Sequence, residues 1–177
     1  MNQFPSGLLK LAQVIDPVSE WCGKFFAWLA VPLVAGVTYE VIARSAFNAP
    51  TIWSYEVTYM LYGSHFMLGA GYTLLKKEHI RLDMLYEKFT TRRKGMIDTV
   101  MFLFFFFPGM IFYLIAGLDE AIGSWAIRET SDATPWRPIV YPFKTVVPVA
   151  AALLIFQGVS EFIKSLHAAI TGRWPNE

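Results

Sequence analysis

Between Thr99 and Leu118 the chain runs for 20 residues without a charge, through four consecutive phenylalanines, Phe104 to Phe107. An α-helix of that length is about 30 Å long, the thickness of a bilayer's hydrocarbon core. No water-filled fold easily hides such a stretch, so the chain reads as an integral membrane protein. Composition agrees: 55% of residues are hydrophobic and 16% charged, where a soluble domain carries about 25% charged. With 177 residues, four spans would use about 80 and leave only short loops and surface helices. A separate nucleotide-binding domain is excluded on size, and there is no GxxxxGK[ST] motif. A net charge of +1 gives no reason to expect nucleic acid. The single cysteine, Cys22, excludes an internal disulfide and a multi-cysteine metal site.

Three further apolar segments join the first, giving expected spans at about 25–43, 55–75, 99–118 and 145–163. Pro108 is expected to kink the third span or loosen one backbone hydrogen bond. That helix is expected to continue past the membrane through Ile122, Trp125 and Ala126 and to end at Glu129-Thr130-Ser131-Asp132. The fold class is therefore all-α: a 25–166 four-helix membrane domain, preceded by a 1–24 interfacial segment and followed by a 167–177 cytoplasmic tail. Met1 to Glu20 has no basic cluster before an apolar run and no small-x-small site, so it does not read as a secretory signal. Leu8, Leu11 and Ile15 fall at helical spacing, and Pro17 follows. Residues 6–16 read either as a short interfacial helix interrupted by Pro17 or as a lead-in to the first span.

Lysine and arginine set the orientation. If the N-terminus is cytoplasmic, the inner segments hold 11 of these residues and the outer segments 4. Both termini and the loop after the second span then lie inside. Within that loop Leu82, Leu85 and Phe89 share one helical face and Lys88, Arg92 and Arg93 surround them. This suits an amphipathic helix on an anionic leaflet; the alternative is a plain positive-inside signal.

Charged residues near spans carry the functional candidates. Glu40 lies about 22 Å along the first span, near its outer end, and Glu56 opens the second span on the same side. Glu40 and Arg44 stand in the favoured i,i+4 order. Arg44 and Glu56 flank the turn Phe47-Asn48-Ala49-Pro50, and Trp53 follows as an interfacial aromatic. One cation facing two carboxylates across a closed hairpin is the expected arrangement. His65 is the titratable group nearest the middle of a span. With His79 and His167 at other depths no bis-histidine haem pair forms, so His65 is expected to hydrogen-bond a neighbouring helix. No catalytic triad, Cys/His cluster or workably spaced catalytic carboxylate pair is present, so no enzymatic activity is expected. In the third loop, Pro135-Trp136-Arg137-Pro138 forms a rigid aromatic and cationic corner ahead of Lys144. Trp136, Arg137 and Lys144 suit either a docking point for a protein or an interfacial anchor for the fourth span.

The run Arg44-Ser45-Ala46-Phe47-Asn48-Ala49-Pro50-Thr51-Ile52-Trp53-Ser54-Tyr55-Glu56 and the segment Glu78-His79-Ile80-Arg81-Leu82-Asp83 together resemble the small membrane subunit of tripartite ATP-independent periplasmic (TRAP) transporters. That family shows an R-x-x-F-N-x-P-x-x-W-S-x-E hairpin and a G-H-I-R-x-D segment; Glu78 stands where glycine is common. The resemblance implies a four-span subunit of the bacterial inner membrane that binds a large polytopic permease subunit. The large subunit would carry the substrate and sodium sites, so no cofactor is expected in this chain. A soluble periplasmic binding protein would deliver an organic acid, a carboxylate or sulfonate. Glu40, Arg44, Trp53 and Glu56 are expected as a hairpin charge cluster or subunit interface, and His79, Arg81 and Asp83 as a cytoplasmic interfacial motif. Two rival readings are a self-sufficient proton-coupled carrier, which needs a carboxylate deep in a span, and the membrane anchor of a redox complex, which needs haem ligands.

Overall fold

The structure, a computed structural model, describes residues 5–77 and 89–175. The segment with His79, Arg81 and Asp83, and the amphipathic helix expected around it, lie outside the described residues. The described chain forms four helical rods and no strand. The first is α1 (Ser6–Ala27) followed by α2 (Ala30–Phe47); the second is α3 (Ser54–Leu75). The third joins α4 (Thr91–Met101) through a π-turn (Phe102–Phe106) to α5 (Phe107–Ile127), and the fourth is α6 (Tyr141–Thr171).

Gly7–Phe47, Thr91–Ile127 and Tyr141–Thr171 are long and apolar enough to cross a membrane. At 22 residues α3 is long enough, but Tyr, Ser, His and Glu side chains keep it out of that set. The apolar side chains point outward: Phe104, Phe105 and Phe112 are exposed, while the largest fully buried side chains are Gln157, Glu161, Ser160 and Ser165. A core of that composition is favourable only where the surroundings are hydrocarbon rather than water.

Pro17 does not interrupt the first helix, contrary to expectation. α1 runs through it, losing only the hydrogen bond that its missing N–H would have made to Gln13. Both halves of α1 are held by neighbours, because Ala12, Ile15 and Ser19 are buried and the helix packs on α3 and α6. The break comes instead at Trp28-Leu29, four residues ahead of Pro32. Pro32 cannot donate to the Trp28 carbonyl, and Val31 N–H takes its place at 3.1 Å. Trp28 and Leu29 themselves donate to Phe25 and Phe26 in tight i→i−3 turns. His65 Nδ1 of α3 also donates to the Phe26 carbonyl, at 3.2 Å, so the break is satisfied from a neighbouring rod.

Pro108 acts as expected, in a particular way. Its ring and missing N–H disturb the turn before it, and the backbone widens into a π-turn closed by Phe107 N–H on the Phe102 carbonyl. The helix then continues to Ile127 and stops at Arg128, in the left-handed conformation with φ 49°. Its passage beyond Trp125 and its end near Glu129 match the sequence expectation.

α6 is the hub. It packs on α1, α3, α4 and α5, and 44% of its apolar window is buried, against 0% and 6% for the other two candidate spans. Glycines let the rods approach. A Cβ on Gly95 would lie 2.5 Å from the Ala169 nitrogen and 2.7 Å from the Ser165 carbonyl oxygen, and one on Gly158 would strike the Phe106 ring. Gly117 sits against Val147 and Pro148. The π-turn ring of Phe106 thus rests in a notch of α6 that only glycine leaves open.

Gly95→Ala should force backbone against backbone and destabilise the bundle by about 1–3 kcal/mol, the usual cost of overpacking. Gly109 has nothing within 4 Å of a Cβ, so Gly109→Ala should be neutral or slightly stabilising. Thermal unfolding of the two variants in the same detergent checks the contrast; equal midpoints would refute it.

Candidate functional site

Two polar constellations stand at opposite ends of the rods. One begins at the α2–α3 hairpin. Arg44 donates to Glu40 Oε1 from Nη2 at 2.7 Å and from Nε at 3.1 Å. Glu40 Oε2 accepts from the Thr51 backbone N–H at 3.1 Å and from the Thr51 hydroxyl. Asn48, with φ 50°, takes the left-handed turn that ends α2, and Ala49 N–H returns to the Ala43 carbonyl. Trp53 stacks on Tyr39 with ring centroids 5.7 Å apart. The Glu40–Arg44 pair and Trp53 therefore close the hairpin.

Glu56 is not part of that cluster, which corrects the expected cation between two carboxylates. It lies in the first turn of α3, 3% exposed. Ser131 Oγ and Thr134 Oγ1, both from the third loop, donate to its Oε1 at 2.5 and 3.2 Å. The reason is turn geometry. The left-handed Asn48 and the Thr51 contacts keep Arg44 over Glu40, while the third loop folds across the N-terminus of α3.

That loop is a small closed structure. Ser131 N–H bonds the Pro138 carbonyl and Val140 N–H the Glu129 carbonyl, pairing Thr130 with Ile139. Arg137 adopts φ 48° and pairs with Asp132 at 2.5 Å. Trp136 and Arg137 are exposed at the corner. Lys144 separates from them: it sits beneath the loop, bonded to Glu129 at 2.6 and 2.8 Å and to Glu120 at 2.5 Å. It braces the loop and is not part of the exposed corner. The Lys144 ammonium beside Glu129 holds that carboxyl below the usual glutamate range. Trp125 Nε1 completes the brace by donating to Thr145 Oγ1 at 2.8 Å.

The constellation at the opposite end is only half visible in the sequence, which shows Gln157 and Glu161 toward the end of the fourth span but not their convergence with Asp16 and Lys164. Lys164 lies 2.7 Å from both Asp16 Oδ2 and Glu161 Oε1. Ser160 and Gln157 donate to Asp16 Oδ1 at 2.6 and 3.2 Å. Gln157, Ser160, Glu161 and Lys164 follow i, i+3, i+4, i+7 spacing on α6, a polar stripe on an otherwise apolar helix that could have been found by periodicity. Asp16, on α1, has no such signal. Nearby, Glu20 pairs with Lys24 at 3.0 Å and Lys76 at 3.7 Å, tying α1 to α3. Among the described residues no three His, Cys, Asp or Glu side chains converge as metal ligands would.

Apolar outside, polar within and built of long helices, the chain falls in the class of α-helical integral membrane proteins. More narrowly, it belongs to the DctQ component family of tripartite ATP-independent periplasmic transporters, whose model matches residues 33–168. It is 26% identical over 140 residues to the sialic acid TRAP transporter permease protein SiaT of Haemophilus influenzae (strain 86-028NP). That match takes in 75% of this chain and 22% of SiaT, so the chain spans about a fifth of that relative's length. No solved structure matches.

Lys164→Met should leave Asp16 and Glu161 facing each other and cost about 3–5 kcal/mol, the usual effect of breaking a buried ion pair. Replacing all three with apolar residues of similar size should recover most of the loss. Unfolding midpoints in detergent test this; a triple variant no better than the single one would count against a charge-balanced network.

The Glu129 brace has a defined pH dependence. Its folded-state pKa is lowered, so its contribution is complete above the ordinary glutamate value of about 4.3 and is lost as pH falls through the lower folded value. Protection of the Ser131 and Val140 amides against hydrogen exchange, relative to intrinsic rates, should fall in that acid range. Glu129→Gln should flatten the profile.

Proposed function

We propose that this chain is the small, non-catalytic membrane subunit of a sodium-coupled TRAP transporter that imports an organic acid, a carboxylate or sulfonate, across the bacterial inner membrane. The observation that carries the reading is the match of the DctQ component model to residues 33–168. The distribution of charge supports it. Glu56 on α3 and Lys76 at its C-terminal cap are 20 residues apart, Asp98 and Asp119 are 21 apart on the third rod, and Lys144 and Lys164 are 20 apart on α6. Each interval is about 30 Å of helix, one hydrocarbon thickness. On this reading α3 crosses the membrane with the other three rods, and the lysine and arginine distribution puts both termini inside.

The polar constellations then lie at the two membrane edges and leave the middle without a carboxylate. A subunit so built scaffolds a larger permease, which supplies the substrate and sodium sites, and offers its outer loop to a periplasmic binding protein. Trp136 and Arg137 are the exposed corner for that docking. Glu40, Arg44 and Trp53 hold the hairpin beside it.

Reconstitution tests the reading. The chain alone in liposomes should move no organic acid, with or without a sodium gradient, and should purify with a large polytopic subunit from its native membrane. Uptake by the lone chain would favour a self-sufficient carrier. In the reconstituted complex Arg137→Glu should raise the binding-protein concentration needed for half-maximal uptake by about tenfold, the scale of a lost interfacial charge contact. The yield of assembled complex should not change.

A further inference from the structure

Beside Glu56 a cavity of about 310 Å³ opens between the start of α3 and the third loop, lined by Tyr55, Glu56, Tyr59, Met60, Ser131 and Val140 among others. Glu56 is almost wholly buried, yet both hydroxyls that reach it bond the same oxygen, Oε1. Among the described residues no donor reaches Oε2 and no cation pairs with the carboxylate. Arg44, the cation its sequence position suggests, is engaged by Glu40. A buried carboxylate held by two neutral hydroxyls and no counter-charge is expensive at a membrane edge.

The walls of the cavity fit what is missing. Tyr55 and Tyr59 are 67% and 57% exposed, and their ring faces attract a cation as the carboxylate does. We propose that Glu56, Tyr55 and Tyr59 form a socket for a guanidinium or ammonium side chain supplied by a neighbouring membrane subunit. The inference rests on the reading above that this chain assembles with a larger permease.

The source is a membrane protein rather than a soluble one because the aromatic surface continues inward. Tyr55, Tyr59, Tyr62 and Phe66 follow i, i+4, i+7, i+11 spacing and are all exposed. Tyr62 and Phe66 stack with centroids 6.2 Å apart. This ridge runs about 16 Å along α3 from its outer end. A soluble protein does not reach that depth, and hydrocarbon offers the Tyr62 hydroxyl no partner. α3 is also the rod that falls outside the apolar set, as suits a helix covered by protein on its outer face.

A photo-crosslinking benzoylphenylalanine placed at Tyr59 in the full complex, in native membranes, tests the socket. The expected adduct is on the large subunit, on a peptide with an arginine or lysine at the outer end of a helix. Glu56→Gln keeps an oxygen for Ser131 and Thr134 but cannot neutralise a cation. It should leave the yield of this chain unchanged and lower the large subunit retained in detergent by about tenfold, as for other interfacial charge pairs. Glu56→Arg combined with the identified cation changed to Glu should restore retention, which guards against a simple folding defect. Adducts only with lipid, or only with the binding protein, would overturn the socket, as would unchanged retention in Glu56→Gln. If the unaltered chain purified without any large subunit, the functional reading itself would fall. A large subunit present with lipid-only adducts would sink the socket alone.

Discussion

Hydrocarbon gives a polar group nothing to bond, and every feature of this chain follows from that. Phenylalanines cover the outside of the third rod, while glutamine, glutamate and serines fill the centre of the bundle. Buried polar groups are therefore driven to find partners within the protein, because burial without one costs several kcal/mol. Asp16, on α1, meets this demand from partners spread over seven residues of α6, accepting from Gln157, Ser160 and Lys164 together. The same demand at the opposite end of the bundle gathers Glu120 and Glu129 around Lys144. The two ends of the bundle are thereby knotted by ions, and the apolar length between them is packed through glycines.

The prolines turn the same constraint into shape. A proline in a membrane helix frees a carbonyl that water cannot reach, so the chain must reassign it. At Pro32 the reassignment is a short tight turn and a histidine from the adjacent rod. At Pro108 it is one wide turn, whose Phe106 ring finds the Gly158 notch. At Pro17 the helix simply continues, because its buried face is clamped by α3 and α6. Identical chemistry gives three outcomes, decided by what packs nearby.

That dependence on neighbours marks how far the sequence could be read. The third rod was legible nearly end to end, because a 20-residue charge-free run has one common physical meaning. The Glu40–Arg44 pair was legible from its i,i+4 spacing. Pro17 was misread, since a proline's effect depends on contacts made by residues far away in the chain. Glu56 was assigned to Arg44 by nearness in sequence, and its actual partners, Ser131 and Thr134, lie 75 and 78 residues on. Asp16 and Lys164 are further apart still, and nothing local links them. Lys144 was expected at the docking corner because it follows closely, and the folded loop turned it inward. Local pattern carried the rods; long-range pairing of polar groups was visible only in the assembled bundle.

α6 carries one more consequence. One knot joins it to α5 and the third loop through Lys144, and the other joins it to α1 through Lys164. A helix pinned to different neighbours at both ends cannot slide along them, nor can it tilt alone. A bilayer thicker or thinner than the distance between the knots must therefore be met by the whole bundle leaning as one body, at a cost of fractions of a kcal/mol per Å of mismatch. Lipid chain length thus acts on the angle at which the third loop is held, and so on the direction in which the Trp136-Arg137 corner faces.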